Sequence, residues 1–477
     1  MPEHEPGQPE WFLHRLYDKL AARQAGMQEN DDFYEGNHPL PFVTKTHNAK
    51  MRDEFRGMLE DSNSNFMSLV VDVVEERTRV DGFRVGSASD PTTDAEAWGI
   101  WQANNLDAET QAAFIDSLVK GVSYLSVWKN PGDDVPTIAV EDASQTIVDY
   151  VPGSNFRKRA AALKIWTDDW TGHERADVWM PDGIHKFSRS ARDKEQSTSD
   201  FERPKNWARI ETGDFVSNPQ NIVPIIPLRN RPRLLTEGTS EIDGPKPIQK
   251  RINSKLFLLA LAGYFGAHRQ RWAVNLALME DDEGNPVEPF DVAVDKLWQV
   301  DPPEEPGAPE VKFGEFDATP LDGYIKAIEQ DVLHISVTTR TPRHYLIESG
   351  QAPSGDSIRS AESGLTKKAA RKCRTWGEDI EEAMRIARGF TDAGPTPIDS
   401  EVVWASTEIQ SEAERTDATI KQFQAGLIPY EAALEKLGYS QTEIRRFSAD
   451  RLKDRLLNLS NTTPEEQIPA TEPAAAA

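Results

Sequence analysis

Between residues 280 and 331 the chain carries 16 acidic and 3 basic side chains, and prolines stand at 286, 289, 302, 303, 306, 309 and 320. Proline lacks a backbone N–H and its ring clashes with the preceding turn, so no long helix forms before residue 321. The segment lies between two stretches of helical periodicity. Upstream, Ile248, Ile252, Leu256, Leu259 and Phe265 fit a helix from about Pro247 to Leu261, with room to continue to Leu278. Downstream, Leu321, Tyr324, Ile325, Ile328, Val332 and Ile335 keep a spacing of three and four until Arg340-Thr341-Pro342. A loop then runs to about Asp356. A third helix, from Ser357 to about Arg388, places Ile358, Ala361, Leu365, Ala369, Trp376, Ile380 and Ala387 on one side. At 1.5 Å per residue it reaches roughly 45 Å. The chain must therefore build helix, acidic short-stranded insert, helix, loop and long helix, in that order.

The flanking regions read as mixed α and β. Trp11, Leu13, Leu16, Tyr17 and Leu20 predict an N-terminal helix, broken in DFYEGNHP at 32–39. Phe66, Leu69, Val70, Val73 and Val74 predict a second, from about Ser64 to Arg79, and two short helices flank the turn in WQANNLDAET at 101–110. From 121 to 230, SYLSVW, TIAV and ALKIW are aromatic or β-branched runs bounded by Gly, Pro or Asp, which predicts antiparallel strands. Near the C-terminus, Thr407-x-x-Gln410 and Ser440-x-x-Glu443 are capping-box patterns and Gly426 is a helix stop. From about Thr462 the Pro, Glu and Ala content predicts disorder.

Charge and chemistry exclude several classes. With 54 basic and 79 acidic side chains the net charge is −25, and 280–331 alone supplies −13 of it. That argues against a tight duplex binder, which needs a basic face to neutralise phosphates, and against a protein held on anionic lipid. The single cysteine, Cys373, excludes an internal disulfide and a thiolate cluster. The longest nearly apolar run, Phe257 to Ala267, falls well short of the ~20 residues that span a bilayer. The opening MPEHEPGQPEW is acidic and Pro-rich, unlike a signal peptide, so the expectation is a soluble protein made inside the cell.

No two of the nine histidines stand three or four apart, and no phosphate-cradling G-x-x-x-x-G-K-[ST] run occurs. The sequence therefore proposes no catalytic residue, metal ligand or cofactor. Ser240 and Glu241, in a segment that begins like a nucleophile elbow, are read as a helix start. Lys367, Lys368, Arg371, Lys372 and Arg374 are read as a solvated helix face or a subunit salt-bridge seam, with nucleic-acid contact as the alternative; Arg157, Lys158 and Arg159, and Arg229, Arg231 and Arg233, are shorter runs of the same kind.

Several motifs, in this order, carry a resemblance. They are DFYEGNHP at 32–39, VVDVVEER with VDGF between 65 and 83, WQANNLDAET and GVSYLSVWKN at 101–130, and LRNRP with EGTSEIDG at 228–244 ahead of a helix containing Asn253. TRTPRHYLIESG at 339–350, SGDSIRSAESGLTKKAARK at 354–372 and GLIPYEAALEKLGYSQTEIRR at 426–446 complete the series. Over roughly residues 10–457 the chain resembles the portal (head–tail connector) proteins of tailed double-stranded DNA bacteriophages.

The resemblance implies an α+β, ring-forming fold with a helical and β wing, long stem helices, a small β-containing clip and a short helical crown. The implied divisions are 1–238 for the N-terminal part of the wing, 239–278 for the first stem helix and 279–320 for the clip. The second stem helix takes 321–340, the tunnel loop 341–357, the wing helix and strand 358–405, the crown 406–460 and a disordered tail 461–477. The implied tunnel-loop residues facing DNA are Arg343, His344, Tyr345, Glu348, Gln351 and Ser354. Those implied for partner docking on the clip are Asp281, Asp282, Glu283, Glu288, Glu304 and Glu305, and those for the stem are Asn253, Lys255, Tyr324 and Lys326. The implied partners are copies of the chain itself in a ring of twelve, double-stranded DNA passing without sequence preference, terminase, a head–tail adaptor, and the major capsid and scaffold proteins. No membrane and no cofactor is implied, and the place is the capsid vertex after assembly in the host cytoplasm. Two rival readings stand beside this one: an acidic α+β hydrolase with dispersed carboxylates, and another minor capsid or adaptor protein.

Overall fold

The computed structural model describes residues 5–39, 53–85, 94–190, 207–210, 213–267, 271–275, 279–280, 286–287, 312–317, 319–347, 355–391, 394, 400–408 and 412–461. These form an α+β structure with two hydrophobic cores.

The sheet formed by β2 (Val122–Trp128), β3 (Thr137–Glu141) and β10 (Ile225–Arg229), in the antiparallel order β10-β2-β3, separates the two cores. A strand alternates its side chains between two faces. Val122 and Tyr124 accordingly enter one core, and Leu125 and Val127 the other. In the loop and strand at β10, Val223 and Ile225 divide from Ile226 and Leu228 in the same way. This explains why β2 carries large apolar residues on both faces, with Ser123 and Ser126 buried among them and hydrogen-bonded.

The first core lies between α1 (Pro9–Glu35) and a six-stranded antiparallel sheet, β4 (Thr146–Tyr150), β5 (Arg159–Asp168), β6 (His173–Trp179), β7 (Gly183–Ser190), β8 (Ala208–Arg209) and β9 (Phe215–Ser217). Leu13, Leu16 and Leu20 bury the helix stripe read from the sequence, while Trp11 and Tyr17 flank it half-buried. The helix continues into the turn-rich motif and stops at Gly36, whose φ of 85° is the left-handed conformation that glycine reaches without strain.

The second core gathers α3 (Met67–Glu75), α4 (Ala95–Ala103), α5 (Leu106–Lys120) and α9 (Gly355–Gly389), with α2 (Asp53–Asp61) leading in. Trp376 of α9 is fully buried and stacks on Phe114 of α5 at 4.4 Å and 5°. The apolar side read for α9 is buried at Leu365, Ala369, Trp376, Ile380 and Ala387, whereas Ala361, near its start, is exposed. The helix read as reaching Arg79 ends at Glu75, because the VDGF residues pair instead. They form β1 (Val80–Val85) against β15 (Ser400–Trp404).

From the second core two antiparallel helices emerge, α6 (Lys246–Ala267) and α7 (Asp322–Thr339). α6 does not reach Leu278. Residues Arg271–Val274 form β11 and pair with β14 (Lys312–Glu315), and this ribbon takes up the backbone groups that a longer helix would have used. β12 (Met279–Glu280) and β13 (Pro286–Val287) make a second small ribbon in the acidic insert. α6 also starts at Lys246, not at Ser240 and Glu241. Ser240 accepts from the Ile242 N–H at 3.1 Å in an irregular segment, and Glu241 is committed to buried lysines.

α8 (Arg343–Leu346) is a single turn within the stretch read as loop. The C-terminal unit is α10 (Glu412–Gln424), α11 (Tyr430–Leu437) and α12 (Gln441–Asn461). α10 ends as read: the Leu427 N–H donates to the Gln422 carbonyl and the Gly426 N–H to that of Phe423, with Gly426 at φ 70°. Gln410, the far end of one capping pattern, lies outside the described residues. The other is formed: the Glu443 N–H donates to Ser440 Oγ at 3.3 Å and the Ser440 N–H to Glu443 Oε2 at 2.9 Å. Replacing Ser440 with alanine is expected to cost about 1 kcal/mol, confined to the start of α12 and read by amide exchange there.

Candidate functional site: the α6–α7 helix pair and its junction with the body

One buried carboxylate fastens α6 to α7. Asp331 of α7 accepts from Arg251 Nε at 2.9 Å and Nη2 at 2.7 Å, and from Lys255 Nζ at 2.7 Å. Lys255 also donates to the Ala327 carbonyl at 3.0 Å. Arg251 and Lys255 stand four apart and so share a helix face. Burial pushes the Asp331 carboxyl up, but the hydrogen bonds from Arg251 and Lys255 outweigh it and hold the carboxyl below its ordinary value. Replacing Asp331 with alanine frees both cations and is expected to cost about 1.5–3 kcal/mol, seen as a lower melting temperature. An unchanged melting curve would contradict this role.

At its base α6 is bound to the body by amides. Asn253 is fully buried; its Oδ1 accepts from the Ser64 N–H at 3.3 Å and from Gln249 Nε2 at 2.8 Å, and its Nδ2 donates to His38 Nδ1 at 2.8 Å. His38 Nε2 then carries the proton and donates to the Phe33 carbonyl at 3.1 Å. Burial lowers the His38 pKa, in keeping with a neutral ring. Gln249 closes the set by donating to the Ser64 carbonyl and accepting from the Phe66 N–H.

Farther from the body, Leu258, Tyr264 and Phe265 on α6, and Leu321 and Ile325 at the start of α7, are exposed, as is Val337 near the other end of α7. Along α7, Asp322, Lys326 and Glu329 form an exposed polar line at helical spacing. Of the stem residues named from the sequence, Lys326 is therefore exposed, Tyr324 is half-buried, and Asn253 and Lys255 are structural fasteners.

Beyond α7 the chain turns through buried Thr341 and Pro342, pinned where Ser336 Oγ donates to the Thr341 carbonyl at 2.7 Å and Lys368 Nζ to that of Thr339 at 3.0 Å. The loop residues His344 and Tyr345 turn toward the body. The Tyr345 hydroxyl accepts from Arg77 Nη2 at 3.0 Å and donates to Glu362 Oε1 at 3.3 Å, and His344 Nε2 lies 3.4 Å from the same carboxylate. Arg77 also donates to the Thr407 carbonyl, which ties this node to the chain leading into α10. Arg343 is exposed. Glu348, Gln351 and Ser354 lie outside the described residues, as do Asp281, Asp282, Glu283, Glu288, Glu304 and Glu305.

A second buried ionic node lies under α9. Glu241 accepts from Lys368 Nζ at 2.9 Å and from Lys372, which also donates to Asn230. Burial pushes the Glu241 carboxyl up, but the two ammonium groups reverse that and bring it down to about 2. Burial brings Lys372 down to about 8, with Glu241 offsetting part of the effect. The basic cluster of the sequence thus divides. Lys368 and Lys372 are internal, while Lys367, Arg371 and Arg374 are exposed. In the shorter runs, Arg159 pairs with Glu382 at 2.7 Å and Arg229 with Asp379 at 2.5 Å. Sequence reading missed Arg77, Glu241, Arg251, Asp331 and Glu362; only the i,i+4 pairs Arg251/Lys255 and Lys368/Lys372 signalled a shared carboxylate.

Among the described residues, no helix is long and apolar enough to cross a membrane and no group of His, Cys, Asp or Glu could hold a metal ion. The chain is 28% identical over 479 residues to the portal protein of Mycobacterium phage D29, covering 93% of this chain and 90% of that protein. It is 27% identical over 500 residues to the portal protein of Mycobacterium phage L5, covering 95% and 97%. The sequence model of the family described as "Phage portal protein, SPP1 Gp6-like" matches residues 13–453, so a helix pair rising from a two-core body is what this family's sequence folds into here, and the chain belongs to the SPP1 Gp6-like phage portal proteins.

Proposed function

We propose that copies of this chain form a ring, twelve in number, at one vertex of a phage capsid, and that double-stranded DNA enters and leaves along its axis. In this reading α6 and α7 are the stem, residues 279–320 the clip, 341–357 the tunnel loop and 406–460 the crown; the remaining body is the wing. The clip docks terminase during packaging and then a head–tail adaptor, while wing and crown meet the major capsid and scaffold proteins. The role is structural, without catalysis or cofactor, and places the protein in the virion after assembly in the host cytoplasm.

The observation that carries this reading is the bare outer stem. Leu258, Tyr264, Phe265, Leu321 and Ile325 are exposed on the outer part of the helix pair, and a ring supplies neighbours on both sides to bury them. The exposed line of Asp322, Lys326 and Glu329 has almost no net charge, and the insert beyond it is strongly acidic. Each cation–phosphate contact adds salt-dependent affinity, so a wall poor in unpaired cations does not hold the duplex. Mass photometry and negative-stain imaging of the purified chain test the assembly. Closed rings near twelve copies are expected, and two-fold dimers that grow no further contradict it.

A further inference from the structure

The segment Arg231-Pro232-Arg233-Leu234-Leu235-Thr236 makes a tight turn in which Leu234 and Leu235 are 85% and 89% exposed. Two adjacent leucines left that bare are costly in water unless something covers them. The turn is rigid. Arg233 and Thr236 exchange backbone hydrogen bonds at 2.9 and 3.1 Å, and below them the Thr239 N–H donates to the Asn230 carbonyl at 2.8 Å. Gly238 sits so tightly on the C-terminal end of α5 that a Cβ there would stand 1.9 Å from the Gly121 carbonyl oxygen. Glu237, held by Arg23 and Tyr150, fixes the other side. Around the leucines the exposed charges are positive: Arg231, Arg233 and, across a hollow of ≈ 650 Å³, Arg157. A rigid, basic-rimmed apolar knob loses little conformational entropy on docking.

At the N-terminal end of the same helix lies the opposite surface. A cleft of ≈ 1020 Å³ opens between the end of α3, β1, α4, α5 and the α11–α12 turn. Its walls include the half-buried ring of Trp98 and the exposed ring of Tyr439. Its rim carries Glu75, Glu76, Asp81, Asp107, Glu435 and Glu443 against Arg79 alone. Arg79 pairs with Asp81 and Arg84 with Glu435, but among the described residues Glu75 and Glu76 have no ion-pair partner. Burial and the neighbouring carboxylates of Glu76 and Asp72 raise the pKa of Glu75.

Knob and cleft lie at opposite ends of α5, roughly 20 Å apart along its axis from Asp107 to Lys120, so no copy can fill its own cleft. We propose that the Leu234–Leu235 knob of one copy docks in the acidic, Trp98-walled cleft of the next. The contact joins two different surfaces, so repetition carries it head to tail, and it closes when the rotation per copy allows. The inference rests on the ring reading above and adds to it the contact between adjacent bodies.

Full-length chains carrying only Leu235→Cys, mixed with chains carrying only Glu76→Cys, test the contact under a mild oxidant. Cys373 does not compete, since burial pushes its thiol up to about 12. Covalent dimers are expected in the mixture but in neither chain alone, and a ladder of higher species in the chain with both substitutions. A second arm reverses charge: the R231E/R233E chain should form rings about tenfold less well at ~0.15 M salt, and mixing it with E75K/E76K should restore them. Rings that form without a cross-link and ignore the charge reversal overturn the contact while leaving the ring in place. A wild-type chain that forms no ring overturns both.

Discussion

Replacing Glu241 with alanine is expected to destabilise the chain by about 3–5 kcal/mol, because removing one partner of a buried ion pair leaves uncompensated charge behind. Lys372 would lose the carboxylate that offsets its burial, and Lys368 would keep only the Thr339 carbonyl. The damage should spread, since Glu241 joins the segment before the stem to α9, while Lys368 and Ser336 fix the turn that leaves it. Denaturant unfolding reads the loss. Glutamine at 241, which keeps the shape and removes the charge, should fall between. The node also sets an acid limit. The folded carboxyl lies at about 2, below its ordinary value of 4.5. Its contribution is therefore present above pH ~4.5 and is lost as pH falls toward ~2. The glutamine variant should lack that part of the acid dependence, and an identical pH profile in the two chains would show that the ion pair is not what Glu241 supplies.

Deleting residues 348–354 is expected to leave rings intact while abolishing retention or packaging of DNA. The loop's two flanks are tied to each other by contacts outside residues 348–354. On one side Tyr345 and His344 are tied to Arg77 and Glu362, and on the other α9 begins at Gly355 and packs through Leu365 and Ala369. Removal between two fixed ends costs little stability. Substituting Arg343 alone, the exposed member of the short turn, should alter packaging without altering melting. Substituting Tyr345 should do the reverse, because its hydroxyl is consumed inside the subunit. Loss of rings on deletion, with DNA handling intact in those that remain, would place the segment at a subunit contact instead.

Periodic and local features were readable from the sequence. The 3–4 spacing of Leu321 through Ile335 gave α7 to within a residue at either end, and Ser440 with Glu443 gave the start of α12, because those signals depend on neighbours a few positions away. The long-range pairings that hold the body together were not readable. Glu241 meets Lys372 across 131 positions and Arg77 meets Thr407 across 330, and no local pattern encodes such contacts. Charge misled for the same reason: Lys368 and Lys372 look like their exposed neighbours Lys367 and Arg371 until Glu241 is brought beneath them. The overlong first stem helix was an error of period. Phe257 to Ala267 is apolar enough to prolong any helix, and only the pairing of Arg271–Val274 with Lys312–Glu315 ends it. Asn253 binds α6 to His38 and Ser64, contacts that only the distant partners reveal.

The most direct test is a cryo-EM reconstruction of the capsid vertex in particles built with this chain, without imposed twelve-fold symmetry. The expected result is one ring per particle, about 640 kDa for twelve copies of 53.4 kDa, with α6 and α7 around an axial channel that contains duplex density. A vertex ring built from another protein, or this chain present as isolated copies away from the DNA axis, would contradict the account.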